Sequence, residues 1–292
     1  MELNFKDLRP QPQYPKYPSP FLNTDEYLEQ YFYNYYKENV LGKIELTHQY
    51  MPIWWTNLYV DGHKLPVQDY INALDWDKKW FTVCQMDDGV RYNLPPDTLV
   101  FHAGGNTGSG QKIPIPLLSS PIPNELKFSP PKERSEIFAS FVGSMTDRIR
   151  TEVYKLYHND KRFYFNLPKI WSQTVSEEDY KHFLDVMKRS VFSLCMAGYG
   201  DSSFRLYQSL EMGSIPVYIS NRPHWLPFKD ELNWTEFCVL FDEKDLPYIG
   251  DMLYFYPKER IQEMKQKGQE VLRSHFNLKS MCEKIIERLK VK

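Results

Sequence analysis

Apolar and polar positions along the chain switch between helical and strand-like spacing. Aromatic residues recur at helical spacing over 24–39, where Thr24 can cap the helix and acidic residues follow it. Short apolar runs at 51–60, 80–85 and 98–102 predict strands, and a helix is predicted at 66–76 between the first two. This alternation is typical of an α/β unit.

Residues 104–135 break the pattern, because the segment is rich in Gly, Pro and Ser. Such a composition favours loops and extended connections over regular structure. We therefore predict a domain boundary at 135.

The second half restarts the α/β rhythm with apolar strands bounded by helices. Strands are predicted at 137–144, 162–165, 190–195, 214–219 and 236–241. Helices are predicted at 147–157, 176–188, 203–212, 243–254, 257–273 and 278–290. Apolar strands separated by helices indicate a parallel sheet covered on both faces. The predicted domains are 1–135, 136–275, and a terminal helix at 276–292 that packs back toward the first domain.

Composition narrows the class of protein. The 292 residues suit two domains, and 36 basic against 38 acidic side chains give a net charge of -2. That balance argues against a nucleic-acid or anionic-membrane partner. The four cysteines form no CxxC pair and suit a reducing compartment. The sequence contains neither a signal-peptide pattern nor an apolar stretch of about 18 residues, so we expect a soluble, cytoplasmic protein without a membrane anchor.

Two segments have the order strand, small-residue turn, helix. The first is FVGSMTDRIR, with Gly143 and Ser144 in the turn and Arg148 and Arg150 after it. The second is LCMAGYGDSSFRLYQSLE at 194–211. In an open α/β sheet ligands bind beyond the carboxyl ends of strands, where helix N-termini attract anions. Either turn could hold a diphosphate.

Arg205 and Glu211 are six positions apart, so they do not stack on one helix face. Each then serves a separate ligand group, with Arg205 on a phosphate as a bidentate fork and Glu211 on the vicinal hydroxyls of a sugar. The alternative is structural. In that interpretation Ser202 caps the helix, Arg205 meets a surface acid, and Glu211 is a solvated residue near the helix end.

A longer run carries a family resemblance. The segments SVFSLCMAGYGDSSFRLYQSLEMGSIPVYIS, WLPFKDELNW and EFCVLFDEKDLPYI occur in this order. Together they resemble the C-terminal half of the exostosin family, glycosyltransferase family 47, over roughly 137–285. Upstream, WFTVCQMDDG is similar to the family strand that ends in His-Asp-x-Gly, and FHAGGN resembles its next strand. Without an anchor, the chain looks like the compact soluble members of bacteria and large viruses.

The resemblance implies an α/β fold of the GT-B type, with two Rossmann-like domains facing a cleft. It further implies an inverting enzyme that uses a UDP-sugar donor and no metal or other cofactor. By this analogy Glu211 binds the ribose. The expected donor site as a whole consists of Gly143, Ser144, Arg148, Arg150, Tyr199, Gly200, Asp201, Ser202, Ser203, Arg205 and Glu211.

Inverting transfer requires a general base for the acceptor hydroxyl. Asp87 and Asp88 follow a predicted strand, and adjacent side chains point to different sides, so at most one faces the cleft. Asp87 matches the family's Asp, while Met86 stands where the family often has His. The alternative is that one carboxylate caps the turn into Gly89. His48 and His102 are further candidates for the base.

Aromatic residues make up 16% of the chain and cluster in its first half. Most rings of this kind pack in cores, but carbohydrate sites also use aromatic faces. Trp54 and Trp55, with His48 and His102, are the residues predicted to contact the acceptor, a glycan or glycoprotein.

Two rival hypotheses remain open. Asp75-Trp76-Asp77 has the DxD form with which metal-dependent GT-A transferases hold a divalent cation. Here the motif follows a predicted helix instead of ending a strand, which favours a solvated helix-terminal pair. The other rival is a catalytically silent partner that keeps the nucleotide fold for assembly. Within the enzyme hypothesis, the lack of an evident basic cluster for a carboxylated sugar favours xylose or galactose.

Overall fold

The computed structural model describes Arg9 and residues 28–60, 66–118, 122–128, 136–168 and 175–291. Its strands form two separate sheets, and every strand pair in both sheets is parallel. The α/β prediction is therefore confirmed. We call the first sheet with its helices the N-terminal lobe and the second the C-terminal lobe.

The N-terminal lobe contains four strands in the order β1-β2-β3-β4. They are β1 (Gln49–Tyr50), β2 (Trp80–Cys84), β3 (Leu99–His102) and β4 (Gln111–Pro114). The helices of this lobe are α1 (Leu28–Asn39), α2 (Trp55–Val60) and α3 (Val67–Asn72), and the short α4 (Asn124–Lys127) lies in the connection to the second lobe. All five residues of β2 are buried, as expected for a strand covered on both faces.

The C-terminal lobe contains five strands in the order β6-β5-β7-β8-β9. The strands are β5 (Ile137–Val142), β6 (Phe163–Asn166), β7 (Ser190–Met196), β8 (Ile215–Ser220) and β9 (Val239–Asp242). They alternate with α5 (Arg148–Tyr157), α6 (Glu177–Arg189) and α7 (Phe204–Glu211). Strand β7 is the central strand of this sheet, and all residues of β7 and of its neighbour β8 are buried.

The chain then becomes helical. A 3-10 helix (Glu243–Tyr248) leads into α8 (Ile249–Tyr254), and α9 (Lys258–Ser274) and α10 (Leu278–Leu289) follow. The C-terminal end of α10 returns to the N-terminal lobe, where Thr47 N donates to Leu289 O at 2.8 Å.

The strand predicted at 51–60 is wrong. Strand β1 ends before this range, at Tyr50, and helix α2 begins within it, at Trp55. Apolar runs of this length do not separate helix from strand by periodicity. The deciding contact is distant in sequence: the Glu29 carboxylate accepts the Thr56 N–H in the first turn of α2, at 3.1 Å, and so occupies one of the free N–H groups of that helix.

The prediction of a connection without regular structure at 104–135 is also wrong in part. Strand β4 extends the N-terminal sheet within it, with Ile113 opposite Phe101, and α4 forms further on. Residues 119–121 and 129–135 of that segment lie outside the described residues, as does the start of the helix predicted from 24.

One apolar cluster connects the two lobes. It includes Phe81 and Phe101 from the N-terminal sheet, Leu206 from α7 and Ile285 from α10, all buried. A second cluster fills the C-terminal lobe around Phe141 and Phe192. The loops that follow β2, β3 and β7 meet, so the carboxyl ends of these strands face one another, as the sequence predicts for a GT-B fold.

Candidate functional site

The two lobes touch through the loops that follow β3 and β7. Ser202 N donates to Gly104 O at 3.1 Å, and Asn106 N donates to Oδ2 of Asp201 at 2.8 Å. The approach requires glycine: a Cβ at Gly200 would lie 2.4 Å from Gly104 O. These loops bring the predicted donor segment directly to the carboxyl edge of the N-terminal sheet.

Asp87 lies at this contact, three residues after β2. A Cβ on Gly200 would be 2.7 Å from Oδ1 of Asp87, so the carboxylate reaches the opposite lobe. Burial raises the pKa of Asp87 to about 6, while the charge of Arg150 lowers it and that of Asp201 raises it. A carboxylate with this pKa is ionised at neutral pH and still basic enough to accept a proton.

Asp88 is on the other side of the turn. Its carboxylate pairs with Arg91, and both side chains are about half exposed. The structure therefore directs one of the two adjacent carboxylates to the lobe contact and the other to the surface.

The N-terminus of α7 lies beside Asp87. Ser203 caps the helix by accepting the Arg205 N–H, and Ser202 is buried. From Cys195 to Ser202, only Tyr199 is exposed, at 58% of its surface. Because the cap is a neutral serine, the positive end of the α7 dipole is not compensated by a carboxylate cap, and this helix end can attract an anion.

The α5 turn is different, because it already holds a negative charge. The Asp147 carboxylate caps α5 by accepting the Ile149 N–H, and it pairs with Arg222 at 2.7 Å. Arg222 also pairs with Asp201 at 2.9 Å. Of the two turns predicted to hold a diphosphate, the α7 turn is thus the one without a resident carboxylate cap.

Two arginines, Arg150 and Arg205, hold these turns through hydrogen bonds to backbone carbonyl oxygens. Arg150 is buried and donates to the carbonyl oxygens of Ala197, Ser144 and Met196 at 2.8, 2.8 and 3.2 Å. It ties the α5 turn to the end of β7.

Arg205 donates to Val142 O and lies over the Phe141 ring, with 4.4 Å from Cζ to the ring centroid. Gly143 permits this approach, since a Cβ there would be 2.6 Å from Nη2 of Arg205. Arg148, by contrast, points to the surface, where it pairs with Glu152 and Glu243.

Glu211 is at the other end of α7. Its Oε2 accepts the Ile122 N–H at 3.1 Å and pairs with Lys127 at 3.0 Å, so it holds the connecting segment and α4. Helix α7 runs away from the carboxyl edge of the sheet, and eight residues span about 12 Å. The structure does not bring Glu211 together with the other predicted donor residues.

The residues predicted to contact the acceptor are scattered. Trp55 is fully buried and donates to Oγ1 of Thr82 at 2.9 Å, and Trp54 is 3% exposed. His48 precedes β1 and therefore lies at the amino edge of the sheet, opposite Asp87.

His102 is near Asp87 but buried. Its Nε2 is 2.6 Å from Met86 O, so Nε2–H donates to the residue before Asp87, and burial lowers the pKa of the imidazole. It supports the Asp87 loop from the core.

A model of the Exostosin GT47 domain matches residues 97–254, more than half of the 292 residues. The chain belongs to the exostosin GT47 family. The matched range contains α7 and both turns that were predicted to hold a diphosphate, whereas Asp87 precedes it. The case for Asp87 therefore rests on its position in the structure.

Two curated relatives from Arabidopsis thaliana illustrate the similarity. A probable glycosyltransferase is 30% identical over 242 residues, which cover 79% of this chain and 46% of that protein. The probable beta-1,4-xylosyltransferase IRX10L is 37% identical over 87 residues, covering 30% of this chain and 21% of that protein. The chain spans less than half the length of these relatives. Among solved structures, the crystal structure of the GtfA/B complex is similar with a TM-score of 0.42 and 9% identity over 77% of this chain and 55% of that one.

The DxD-like pair lies away from this site. Asp75 and Asp77 are exposed in the turn between α3 and β2, at the amino edge of the sheet, and Oδ1 of Asp75 accepts the Asp77 N–H. Within the described ranges, no group of three or more His, Cys, Asp or Glu side chains is arranged to hold a metal ion. None of the helices in those ranges has the length and apolar content needed to cross a membrane.

Sequence reasoning missed Arg222 and Asn106. Arg222 follows β8 in SNRP, and its place at the carboxyl edge of a strand was a usable signal. Asn106 acts through its backbone N–H, which no side-chain pattern reveals.

Proposed function

We propose that the protein is an inverting glycosyltransferase that moves a sugar from a UDP-sugar to a hydroxyl group of a glycan or glycoprotein acceptor. Membership of the exostosin GT47 family supports the reaction class. The observation that carries the proposal is the position of Asp87, which is buried at the lobe contact beside the serine-capped N-terminus of α7.

In the proposed reaction Asp87 accepts the proton of the acceptor hydroxyl. The acceptor oxygen forms a bond to the anomeric carbon as the bond from that carbon to the diphosphate oxygen breaks, and UDP leaves with the electron pair. The backbone N–H groups at the start of α7 and the hydroxyls of Ser202 and Ser203 stabilise the departing diphosphate. Arg150 and Arg205 add positive charge behind the turns, so the site needs no metal ion.

The donor sugar is the finer part of the proposal. IRX10L is described as a probable beta-1,4-xylosyltransferase, which supports UDP-xylose as the first donor to test, with UDP-galactose second. Membership of the exostosin GT47 family also supports a glycan acceptor.

The test is a hydrolysis and transfer screen of the purified protein with UDP-, GDP- and CMP-sugars, with thermal shift measured in parallel. Free UDP and one or two UDP-sugars should raise the melting temperature, since a ligand that binds the native state stabilises it. Slow hydrolysis of one donor should be lost in Arg205→Ala with the fold intact. If no nucleotide shifts the melting temperature, the silent-partner alternative replaces this proposal.

A further inference from the structure

Glu29 is a buried carboxylate that the proposed reaction does not use. It is the second residue of α1 and only 2% exposed. Burying an ionisable group costs free energy unless donors surround it.

Three donors converge on this side chain. The Gln85 N–H donates to Oε1 at 2.7 Å, and the Thr56 hydroxyl donates to the same oxygen at 2.9 Å. The Thr56 N–H donates to Oε2 at 3.1 Å. One carboxylate therefore joins α1, the first turn of α2 and the residue that follows β2.

That last residue leads to Asp87. Gln85 immediately follows β2 and is two positions before Asp87, and its own Oε1 accepts the Leu28 N–H at 3.2 Å. The start of α1 and the end of β2 are thus linked in both directions. Beyond Asp87, its backbone oxygen accepts the Thr107 hydroxyl at 2.7 Å. The loop is anchored before and after the proposed base.

The surroundings of Glu29 suit a hydrogen-bond acceptor that joins these segments. Burial raises its pKa to about 7, while the bonds from Gln85 and Thr56 lower it and favour the carboxylate. Among the described residues, the charge of Glu29 raises the pKa values of Tyr50 and Cys84. Both groups are buried and neutral near pH 7, because burial raises their pKa values further.

We propose that Glu29 is a positioning residue for Asp87: by holding the Gln85 amide it sets where the end of β2 delivers the base to the C-terminal lobe. The role of Asp87 as base rests on the proposed function, whereas its position does not.

The main variant is Glu29→Gln, which keeps the shape but places an amide NH₂ group against donors. Glu29→Asp keeps the charge and is one methylene too short to reach both partners. Thr98→Val is the matched control: Thr98 is 1% exposed and its hydroxyl donates to Pro95 O at 2.7 Å, at the amino edge of the same sheet. It removes a buried hydrogen bond of this lobe without touching the Asp87 loop.

Steady-state kinetics gives the first readout. In Glu29→Gln we expect kcat to fall about tenfold to a hundredfold, the loss typical of a misplaced catalytic group. The affinity for UDP should not change, because the donor turns belong to the other lobe. The kcat of Glu29→Asp should lie between those of the wild type and Glu29→Gln. Thr98→Val should keep the wild-type kcat even if its melting temperature falls as far as that of Glu29→Gln.

The second readout needs no activity. The difference in unfolding free energy between each protein and its Asp87→Asn derivative, measured from pH 3.5 to 8, reports the pKa of Asp87. We expect the difference to change with pH up to about 6 and to be constant above it, both in the wild-type background and in Thr98→Val. In both Glu29 variants this upper limit should shift toward an ordinary carboxylate value, because a displaced loop loses burial. An unmoved upper limit with full kcat overturns the proposal. If no UDP-sugar is turned over by the wild type, the proposed function fails and the upper limit alone decides the position of Asp87.

Discussion

Asp87 and Gly200 belong to different lobes, yet a Cβ on Gly200 would lie 2.7 Å from Oδ1 of Asp87. A candidate base from one lobe is therefore close to the loop before α7 in the other. Both turns that were predicted to hold a diphosphate are on the lobe opposite this candidate base, as the proposed transfer between two bound substrates requires.

Asp87→Asn tests the base directly. We expect kcat to fall by about a hundredfold to ten-thousandfold, the usual contribution of a general base, with UDP affinity retained. Asp88→Asn is the matched control, since it removes a neighbouring carboxylate that pairs with Arg91 at the surface. Equal losses in the two variants would contradict the assignment of the base to Asp87.

The pH dependence of turnover should follow the same residue. The pKa of Asp87 is raised to about 6 by burial, and the base acts only when ionised. We therefore expect kcat/KM to be flat above pH 7 and to decrease tenfold per pH unit below about 6. An acid limb near pH 4 would mean that an ordinary exposed carboxylate controls the rate.

The contribution of Asp87 to the free energy of unfolding should decrease with rising pH, whereas kcat/KM increases. The folded pKa of Asp87 is raised from 3.8 to about 6, so the folded protein binds this proton more tightly than the unfolded chain does. That stabilisation is fully present below pH 3.8 and is lost as pH rises through 6. Relative to the wild type, Asp87→Asn should gain about 3 kcal/mol of unfolding free energy between pH 3.5 and 8. Urea denaturation across this range gives the value, and a constant difference would contradict it.

For Glu211, the sequence and the structure lead to different expected roles. A ribose contact predicts that Glu211→Gln weakens UDP binding by about 1 to 3 kcal/mol. Its partners, Lys127 and Ile122 N, instead lead us to expect unchanged UDP affinity and a lower melting temperature. Lys127→Met is the control, because it breaks the same ion pair without altering Glu211. Calorimetry with UDP decides, and weaker binding in Glu211→Gln alone would restore the ribose role.

Metal removal tests the remaining rival. We expect EDTA to leave turnover unchanged and Asp75→Ala to behave like the wild type, since Asp75 lies at the sheet edge opposite Asp87. Loss of activity in both experiments would favour a metal-dependent enzyme.

Local sequence patterns determined the positions of many strands and helices and of several candidate site residues. Strands such as β7 and β8 are continuous apolar runs, and α7 begins at a serine cap, so their positions follow from neighbours in sequence. The small-residue turn before α7 and the paired Asp87 and Asp88 could be chosen on the same grounds. The family resemblance came from these segments as well.

Contacts between distant residues decided the rest. The apolar run at 51–60 becomes a helix where the Glu29 carboxylate meets its first turn. Whether Asp87 or Asp88 faces the donor lobe depends on how the loops after β2, β3 and β7 meet. Glu211 turns toward Lys127, which lies 84 positions earlier in the chain. Hydrogen bonds and ion pairs of this kind depend on distance in space, and no spacing along a single chain reports that distance before the chain has folded.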